Sequence, residues 1–164
     1  NFTAWIHRFY RFRRFATQFA PTAGSMGYGV PAAVGIKAVY RDRPVICIAG
    51  DGDFLMNGQE FATACQYDLP IVVVVVNNGA YGTIRMHQER EYPGRVSGTQ
   101  LRNPDFAALA RAYGGHGETV EKTADFAPAF ERARASGKPA IIEVKLDVEA
   151  ITPTRTLTQI REGR

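Results

Sequence analysis

Two short runs of β-branched residues predict the centre of a parallel sheet. Residues 44–49 read Pro-Val-Ile-Cys-Ile-Ala, and residues 71–76 contain one Ile followed by five Val. Strands that helices cover on both faces are apolar without interruption in this way. Ala140–Leu146 predicts a third strand, and a weaker pattern over Glu118–Glu121 predicts a fourth.

Segments of helical character separate these strands. They are Tyr28–Tyr40, Asn57–Tyr67, Pro104–Tyr113 and Ala124–Ser136. The second segment opens with Asn57 and Glu60 at the spacing of a capping box, which predicts a helix start there. Strands that alternate with helices are typical of an α/β fold. We therefore expect a Rossmann-like three-layer domain whose parallel sheet is covered by helices on both faces.

A chain of 164 residues has the length of one domain. We expect that domain over residues 1–150, followed by a polar C-terminal tail over residues 151–164, where no periodic pattern is found. The two cysteines, Cys47 and Cys65, fit no metal-ligand spacing and lie in apolar or helical patterns. They are interpreted as reduced core thiols of a cytoplasmic protein. No apolar run is long enough to predict a membrane span.

The net charge of +4 is concentrated near the N-terminus. Four arginines alternate there with aromatic residues: Arg8, Arg11, Arg13 and Arg14 with Phe9, Tyr10, Phe12 and Phe15. Such a stretch can bind nucleic acid through phosphate pairing and base stacking. The rest of the chain is close to neutral, which favours a subunit contact or a helix edge and no nucleic-acid partner.

Two polar loops follow the two strongest strands. Gly50-Asp51-Gly52 comes directly after the first strand, and Asn77-Asn78-Gly79 comes directly after the second. One crossover segment separates the strands, so they should be parallel and close in the sheet. Open α/β sheets bind ligands beyond the carboxyl ends of their strands. Both loops are therefore expected to converge on one ligand.

The chemistry of these loops suits a magnesium diphosphate. Asp51 offers a carboxylate and Asn78 an amide oxygen, which are ligands of the hard type that Mg²⁺ prefers together with phosphates and water. Glycines allow the close approach of backbone to a ligand. Amides near Gly52 and Asp53, and over residues 79–82, are candidates for phosphate contacts.

The segment GDGDFLMNGQEFATACQYDLPIVVVVVNNGAYG resembles the cofactor motif of the thiamine-diphosphate-dependent enzymes, which opens with GDG and closes with NN. The resemblance extends to GSMGYGVPAAVGIKA upstream and to NPDFAALARAYGG downstream, and so covers most of the chain. Within that family the sequence is similar to the acetolactate-synthase-like and benzoylformate-decarboxylase-like enzymes, which act on 2-oxo acids. The resemblance implies thiamine diphosphate and Mg²⁺ as cofactors.

The resemblance also implies a role for individual residues. Asp51, the side chain of Asn78 and the backbone carbonyl of Ala80 correspond to the metal ligands. Met26 corresponds to the bulky residue beneath the cofactor, which bends its two rings towards each other. The residues implied to contact the cofactor are Gly24, Met26, Gly50, Gly52, Asp53, Tyr81 and Gly82.

Further partners follow from the same resemblance. A glutamate that activates the cofactor comes, in such enzymes, from a separate pyrimidine-binding domain, and no candidate for it is found in this sequence. The chain alone is therefore expected to be inactive, and a homo-oligomeric assembly is expected. His87 is a candidate substrate contact or proton carrier, or else a solvated residue of a polar helix.

Several interpretations of the whole chain are compatible with these patterns. It is the C-terminal diphosphate-binding domain of a longer chain, or a natural subunit whose pyrimidine-binding partner is a separate polypeptide. A non-catalytic nucleotide-binding α/β domain is the alternative from another class. That alternative calls for a phosphate loop such as GxGxxG directly after the first strand, and Gly27, Gly29 and Gly35 do not follow a clear strand in this way.

Overall fold

Four parallel strands form the sheet of this protein, which a computed structural model describes over residues 2–163. They are β1 (Val45–Gly50), β2 (Ile71–Asn77), β3 (His116–Val120) and β4 (Ala140–Lys145). The order across the sheet is β1-β2-β4-β3. All four predicted strands are confirmed, including the weak pattern over Glu118–Glu121, which corresponds to β3. The ends of the strands differ slightly from the prediction.

Eight α-helices are found in the described part of the chain. They are α1 (Phe2–Phe9), α2 (Gly29–Val39), α3 (Asp51–Asn57), α4 (Phe61–Gln66), α5 (Gly82–Glu91), α6 (Phe106–Ala112), α7 (Thr123–Ala135) and α8 (Leu157–Arg161). Among these, α2, α4, α6 and α7 lie in the segments that were predicted to be helical. None of the described helices has the length and apolar character that crossing a membrane requires.

Helices cover both faces of the sheet, as the unbroken apolar strands predict. Val73 and Val75 of β2 face a core that α2, α3, α4 and α6 share. Val72 and Val74 face the other side, where α7 packs. Phe61 and Phe106 are fully buried in the first core, and burial of each such side chain stabilises the fold by about 1.5–3 kcal/mol. The expected three-layer α/β architecture is confirmed.

The prediction of a helix start at Asn57 was wrong. The first helix of the crossover begins at Asp51 and ends at Asn57, and a short 3₁₀ turn over Gly58–Glu60 connects it to α4. Asn57 makes no capping bond. Its side-chain amide donates to the carbonyl of Gly27 at 3.1 Å, a contact thirty residues away in sequence. A tertiary contact therefore takes up the side chain that the local spacing assigned to a cap.

The C-terminal residues also differ from the predicted polar tail. Ile151, Leu157 and Ile160 are buried in a small cluster of their own, against Met86 of α5. Thr156 begins α8 with a complete capping box. Three apolar residues spaced irregularly among polar ones are enough to dock this segment, although they make no periodic pattern. The division of the chain at residue 150 stays a prediction.

A buried carboxylate holds α8 against α5. Glu89 is 1% exposed, and Arg161 donates to both of its oxygens at 2.8 Å. Arg85 donates to the same carboxylate from one turn earlier in α5. These bonds, with the Arg161 bond first, hold the pKa of Glu89 down at about 2. The clamp joins parts of the chain that are 72 residues apart.

Candidate functional site

The site is built around the first turn of α3, which begins as soon as β1 ends. Gly50 is the last residue of β1 and the N-cap of α3, and Asp51 is the first helical residue. The expected Gly-Asp-Gly loop is therefore the junction of a strand and a helix. An added Cβ at Gly50 would lie 3.0 Å from the ring of Phe2, so helix α1 also reaches this junction.

Asp51 is buried at 2% exposure and ties the two sheet-edge segments together. Its Oδ2 accepts from the backbone amide of Gly79 at 2.9 Å. Its Oδ1 accepts from the amide of Gly52 at 3.0 Å. The first of these bonds confirms that the segments after β1 and β2 converge.

The segment after β2 is held in shape from two sides. Asn78 Oδ1 accepts from the amide of Ala80 at 3.1 Å, which closes a tight turn. On the other side, a short antiparallel bridge pairs Ala80 with Gln100. The hydrogen bonds of that bridge use the carbonyl of Gly79 and the amide of Tyr81. The carbonyl of Ala80 stays outside the bridge.

A third segment, residues 24–27, reaches the same turn of α3. The amide of Gly27 donates to Asp53 Oδ1 at 2.7 Å, and Asn57 holds its carbonyl. Gly27 has φ of +84° and a Cβ there would lie 2.7 Å from atoms of Met56 and Asn57, so only glycine fits. Burial raises the pKa of Asp53. Beside this anchored residue, Met26 stays 43% exposed.

Tyr81 packs directly on the same helical turn. A Cβ on Gly52 would lie 2.5 Å from the Tyr81 ring, so the ring rests against the bare backbone of Gly52. Gly82 follows as the buried first residue of α5. The close approach explains why the second glycine of the Gly-Asp-Gly sequence is needed here.

The oxygen chemistry of this place fits a hard cation. Among the described residues, no group of three or more His, Cys, Asp or Glu side chains could hold a metal ion. A cation would therefore have one buried carboxylate, Asp51, supplemented by neutral oxygens of the neighbouring segment. Such a donor set is poor in charge and suits Mg²⁺, which takes its other ligands from phosphate and water.

Comparison with known proteins decides the family. A family model described as "Thiamine pyrophosphate enzyme, C-terminal TPP binding domain" matches residues 1–144. The chain belongs to this family. The convergence of three segments on one helical turn is thus found in a domain of thiamine pyrophosphate enzymes.

Individual relatives agree with this assignment. The acetolactate synthase large subunit of Parasynechococcus marenigrum is 42% identical over 123 residues, which are 74% of this chain and 20% of that protein. The large subunit of Buchnera aphidicola subsp. Schlechtendalia chinensis is 35% identical over 145 residues, or 85% and 25% of the two chains. This chain thus spans a quarter or less of the length of these curated relatives.

A solved structure gives the same result for the fold. The thiamine diphosphate-dependent 4-hydroxybenzoylformate decarboxylase of Rhodococcus jostii RHA1 superposes with a TM-score of 0.72 and 37% sequence identity. The superposition covers 77% of this chain and 24% of that one. The chain is therefore similar in sequence to acetolactate synthases and in fold to a thiamine diphosphate-dependent decarboxylase.

His87 lies away from the hydrogen bonds described above. It is exposed on α5, beyond the Gly82 start of that helix. Both interpretations of His87, a substrate contact and a solvated residue of a polar helix, therefore stay predictions.

Sequence reasoning missed Asn103, which reaches into the centre of the site. Its side-chain amide donates to Asp51 Oδ2 at 2.7 Å and to Asn77 Oδ1 at 2.8 Å. Asn77 in turn donates to the buried Glu143 at 2.6 Å. A signal did exist, because Asn103 opens the downstream motif NPDF that resembles the thiamine pyrophosphate enzymes. Its partners, however, lie 26 and 52 residues away, where no local pattern points.

Proposed function

We propose that this chain forms the diphosphate- and Mg²⁺-binding half of the active site of a thiamine-diphosphate-dependent enzyme that acts on 2-oxo acids. The proposal rests on the first turn of α3, which forms hydrogen bonds with two other segments of the chain. Asp51 holds the segment after β2 through Gly79, and Asp53 holds residues 24–27 through Gly27. One helical turn thereby holds together two parts of the chain that would bind the cofactor.

Three oxygens would hold the metal ion. They are a carboxylate oxygen of Asp51, Oδ1 of Asn78 and the backbone carbonyl of Ala80. Gly79, which lies between the last two residues, is bonded directly to Asp51, so the three groups belong to one small neighbourhood. Two neutral donors and one anion leave room for the negative charge of a diphosphate, as Mg²⁺ sites in proteins commonly do.

The segments after β1 and β2, together with residues 24–27, would hold the cofactor. The residues that would hold its diphosphate are Gly50, Gly52, Asp53, Tyr81 and Gly82, where Tyr81 packs against Gly52. The amides of Gly52 and Tyr81 already donate to Asp51 Oδ1 and to the carbonyl of Thr99, so these two amides are not the donors to phosphate that the sequence suggested.

Gly24 and Met26 would contact the rings of the cofactor. The Met26 side chain is exposed and lies next to Gly27, whose amide donates to Asp53 of α3. When bound, thiamine diphosphate supplies the electron sink for breaking or making a bond next to a carbonyl group.

The other half of the site would come from a pyrimidine-binding domain, in the parent chain or in a separate subunit, within a homo-oligomer. That domain would contribute the activating glutamate. Two glutamates are buried among the described residues, Glu89 and Glu143, and each is already paired with a cation. Neither is therefore free to act as the activating glutamate, which we propose comes from outside this chain, so that the chain alone would be inactive.

The reaction would be the decarboxylation of a 2-oxo acid, the joining of two carbonyl units, or both, as in an acetolactate-synthase-like enzyme. The relatives' names support this class. His87, exposed on the helix that follows the metal-binding segment, would be available to a substrate that enters between the two domains.

Calorimetric titration with thiamine diphosphate, with and without Mg²⁺, tests the proposal. The unaltered protein is expected to bind only in the presence of Mg²⁺. Asp51→Asn preserves the shape of the side chain but removes its charge, and should weaken binding by more than about 100-fold, beyond the 10–100-fold typical of outer-shell changes. Asp105→Ala is the matched control, since Asp105 is exposed and its side chain caps α6 by accepting from the amide of Ala108. Binding that needs neither Mg²⁺ nor Asp51 would contradict the metal assignment.

A further inference from the structure

We infer that Asn103 is a positioning residue for the metal site: it occupies Oδ2 of Asp51 and so leaves Oδ1 as the oxygen that faces the cation. The inference rests on the proposed function, because it presumes that Asp51 binds a metal ion. It adds a residue from a fourth segment, between α5 and α6, to a site otherwise made from the segments after β1 and β2 and residues 24–27.

The hydrogen bonds of Asp51 distinguish its two oxygens. An ionised carboxylate offers about four acceptor positions, two on each oxygen. Within the described part of the chain, Oδ2 receives two donors, Gly79 at 2.9 Å and Asn103 at 2.7 Å. Oδ1 receives one, from Gly52 at 3.0 Å. The remaining acceptor position is therefore on Oδ1, and Asn103 is one of the two groups that fix this outcome.

The orientation of the Asn103 amide is set from the interior of the sheet. Glu143 on β4 is 1% exposed, and a carboxylate can only accept, so Asn77 must turn its NH₂ group towards it. Asn77 Oδ1 then faces Asn103, which must present its own NH₂ group in return. The two hydrogens of that group serve Asn77 and Asp51. A relay of three side chains thus orients Asp51 from β4.

The oxygen of the Asn103 side chain shows that this position requires an NH₂ group facing Asp51 and Asn77. Its Oδ1 is buried without a hydrogen-bond partner among the described residues, and an unpaired buried acceptor normally destabilises a protein. A flipped amide would place that oxygen against the oxygens of Asp51 and Asn77, so the flip gives no relief. The structure therefore leaves Asn103 Oδ1 unpaired among the described residues, while the NH₂ group makes two hydrogen bonds, to Asp51 and to Asn77.

The test measures metal affinity directly, with Mn²⁺ as a probe that uses the same oxygen ligands as Mg²⁺. Free Mn²⁺ is quantified by electron paramagnetic resonance in the presence of excess thiamine diphosphate. Asn103→Ala is expected to weaken Mn²⁺ binding about tenfold or more, as outer-shell changes do. Asp105→Ala is the matched control: it removes the cap of α6 two residues away and should leave the affinity within about twofold, well below the outer-shell range.

The relay is tested by two substitutions of one residue. Glu143→Gln retains an oxygen that can accept from Asn77, and its new NH₂ group can donate to the Thr119 hydroxyl that Glu143 now accepts from. Glu143→Leu removes the acceptor altogether. Mn²⁺ affinity is expected to be retained in the first variant and reduced several-fold in the second, within the outer-shell range. A purely structural role would instead lower thermal stability and Mn²⁺ affinity in parallel in both variants.

The outcomes separate this inference from the proposed function. If Asp51→Asn abolishes Mn²⁺ binding while Asn103→Ala matches the unaltered protein or its Asp105→Ala control, the metal site stands and the role of Asn103 is refuted. If the unaltered protein binds no Mn²⁺, both are refuted. A selective loss in Asn103→Ala supports both.

Discussion

Two glutamates of this chain are equally buried but belong to different kinds of networks. Glu89 and Glu143 are each 1% exposed. Glu89 is bonded by two arginines and one backbone amide. Glu143 is bonded by one lysine, one asparagine and one threonine. The first network is rich in charge, and the second consists mainly of neutral dipoles.

The difference lies in where each network leads. The Glu89 network ends at Arg161, whose side chain is 36% exposed and which joins α8 to α5. The Glu143 network continues through Asn77 and Asn103 to Asp51. A buried carboxylate whose partners end in solvent mainly fastens two elements together. Glu143 also pairs with Lys145, which is 44% exposed, but its partner Asn77 leads through Asn103 to another buried carboxylate and can orient it, because each amide has a fixed donor side and acceptor side.

The largest effect that separates the two networks is expected for Glu89→Ala. Removing one member of a buried ion pair leaves charged partners without compensation, which costs roughly 3 kcal/mol at the lower end of the usual range. Urea unfolding followed by circular dichroism measures this loss. Mn²⁺ affinity should change much less than in Asn103→Ala. A parallel loss of metal binding would show that the α5–α8 clamp and the site form a single network.

Acid should weaken the Glu89 clamp in a defined pH window. The pKa of Glu89 is lowered from 4.5 to about 2, chiefly by its bond from Arg161. Its contribution to folding is therefore complete above pH 4.5 and is lost as the pH falls towards 2.

The comparison of unaltered protein with Glu89→Gln tests that window. The difference in their unfolding free energies is expected to be constant from pH 7 to about 5 and to shrink below 4.5. A difference that grows on acidification would have the opposite sign and would mean that the carboxyl is favoured in its protonated form.

The sheet could be predicted from the sequence because the residue types within each strand indicate how that strand is buried. Five consecutive valines can be buried on both sides only if helices cover both faces, and that is what the structure shows around β2. The convergence of the Asp51 and Asn78 segments followed from parallel pairing alone. These features depend on residues that are close in sequence or on general rules of sheet topology.

The remaining parts of the site depend on contacts that local patterns do not encode. Asn57 has the spacing of a helix cap but bonds Gly27 instead. Asn103 lies between two helices, and only the folded chain brings it to Asp51. Similarly, the apolar residues that dock α8 are too few and too irregular to form a period. Small polar side chains serve local and tertiary partners equally well, so sequence alone does not decide between them.

The smallest effect is expected for an ion pair on the surface. Arg134 and Glu131 on α7 are joined at 2.9 Å, a distance similar to those in the Glu89 clamp, but their side chains are 54% and 67% exposed. Water screens the pair, so Arg134→Ala should lower the free energy of unfolding by less than about 0.5 kcal/mol.

Salt provides the control for this variant. The difference between Arg134→Ala and the unaltered protein should disappear at about 1 M salt, where screening extends over about 3 Å. A loss as large as that of Glu89→Ala would mean that hydrogen-bond distance sets the strength of these pairs. A much smaller loss, as expected, would show that burial sets the strength of the ion pairs, since the two sites differ in exposure far more than in hydrogen-bond distance.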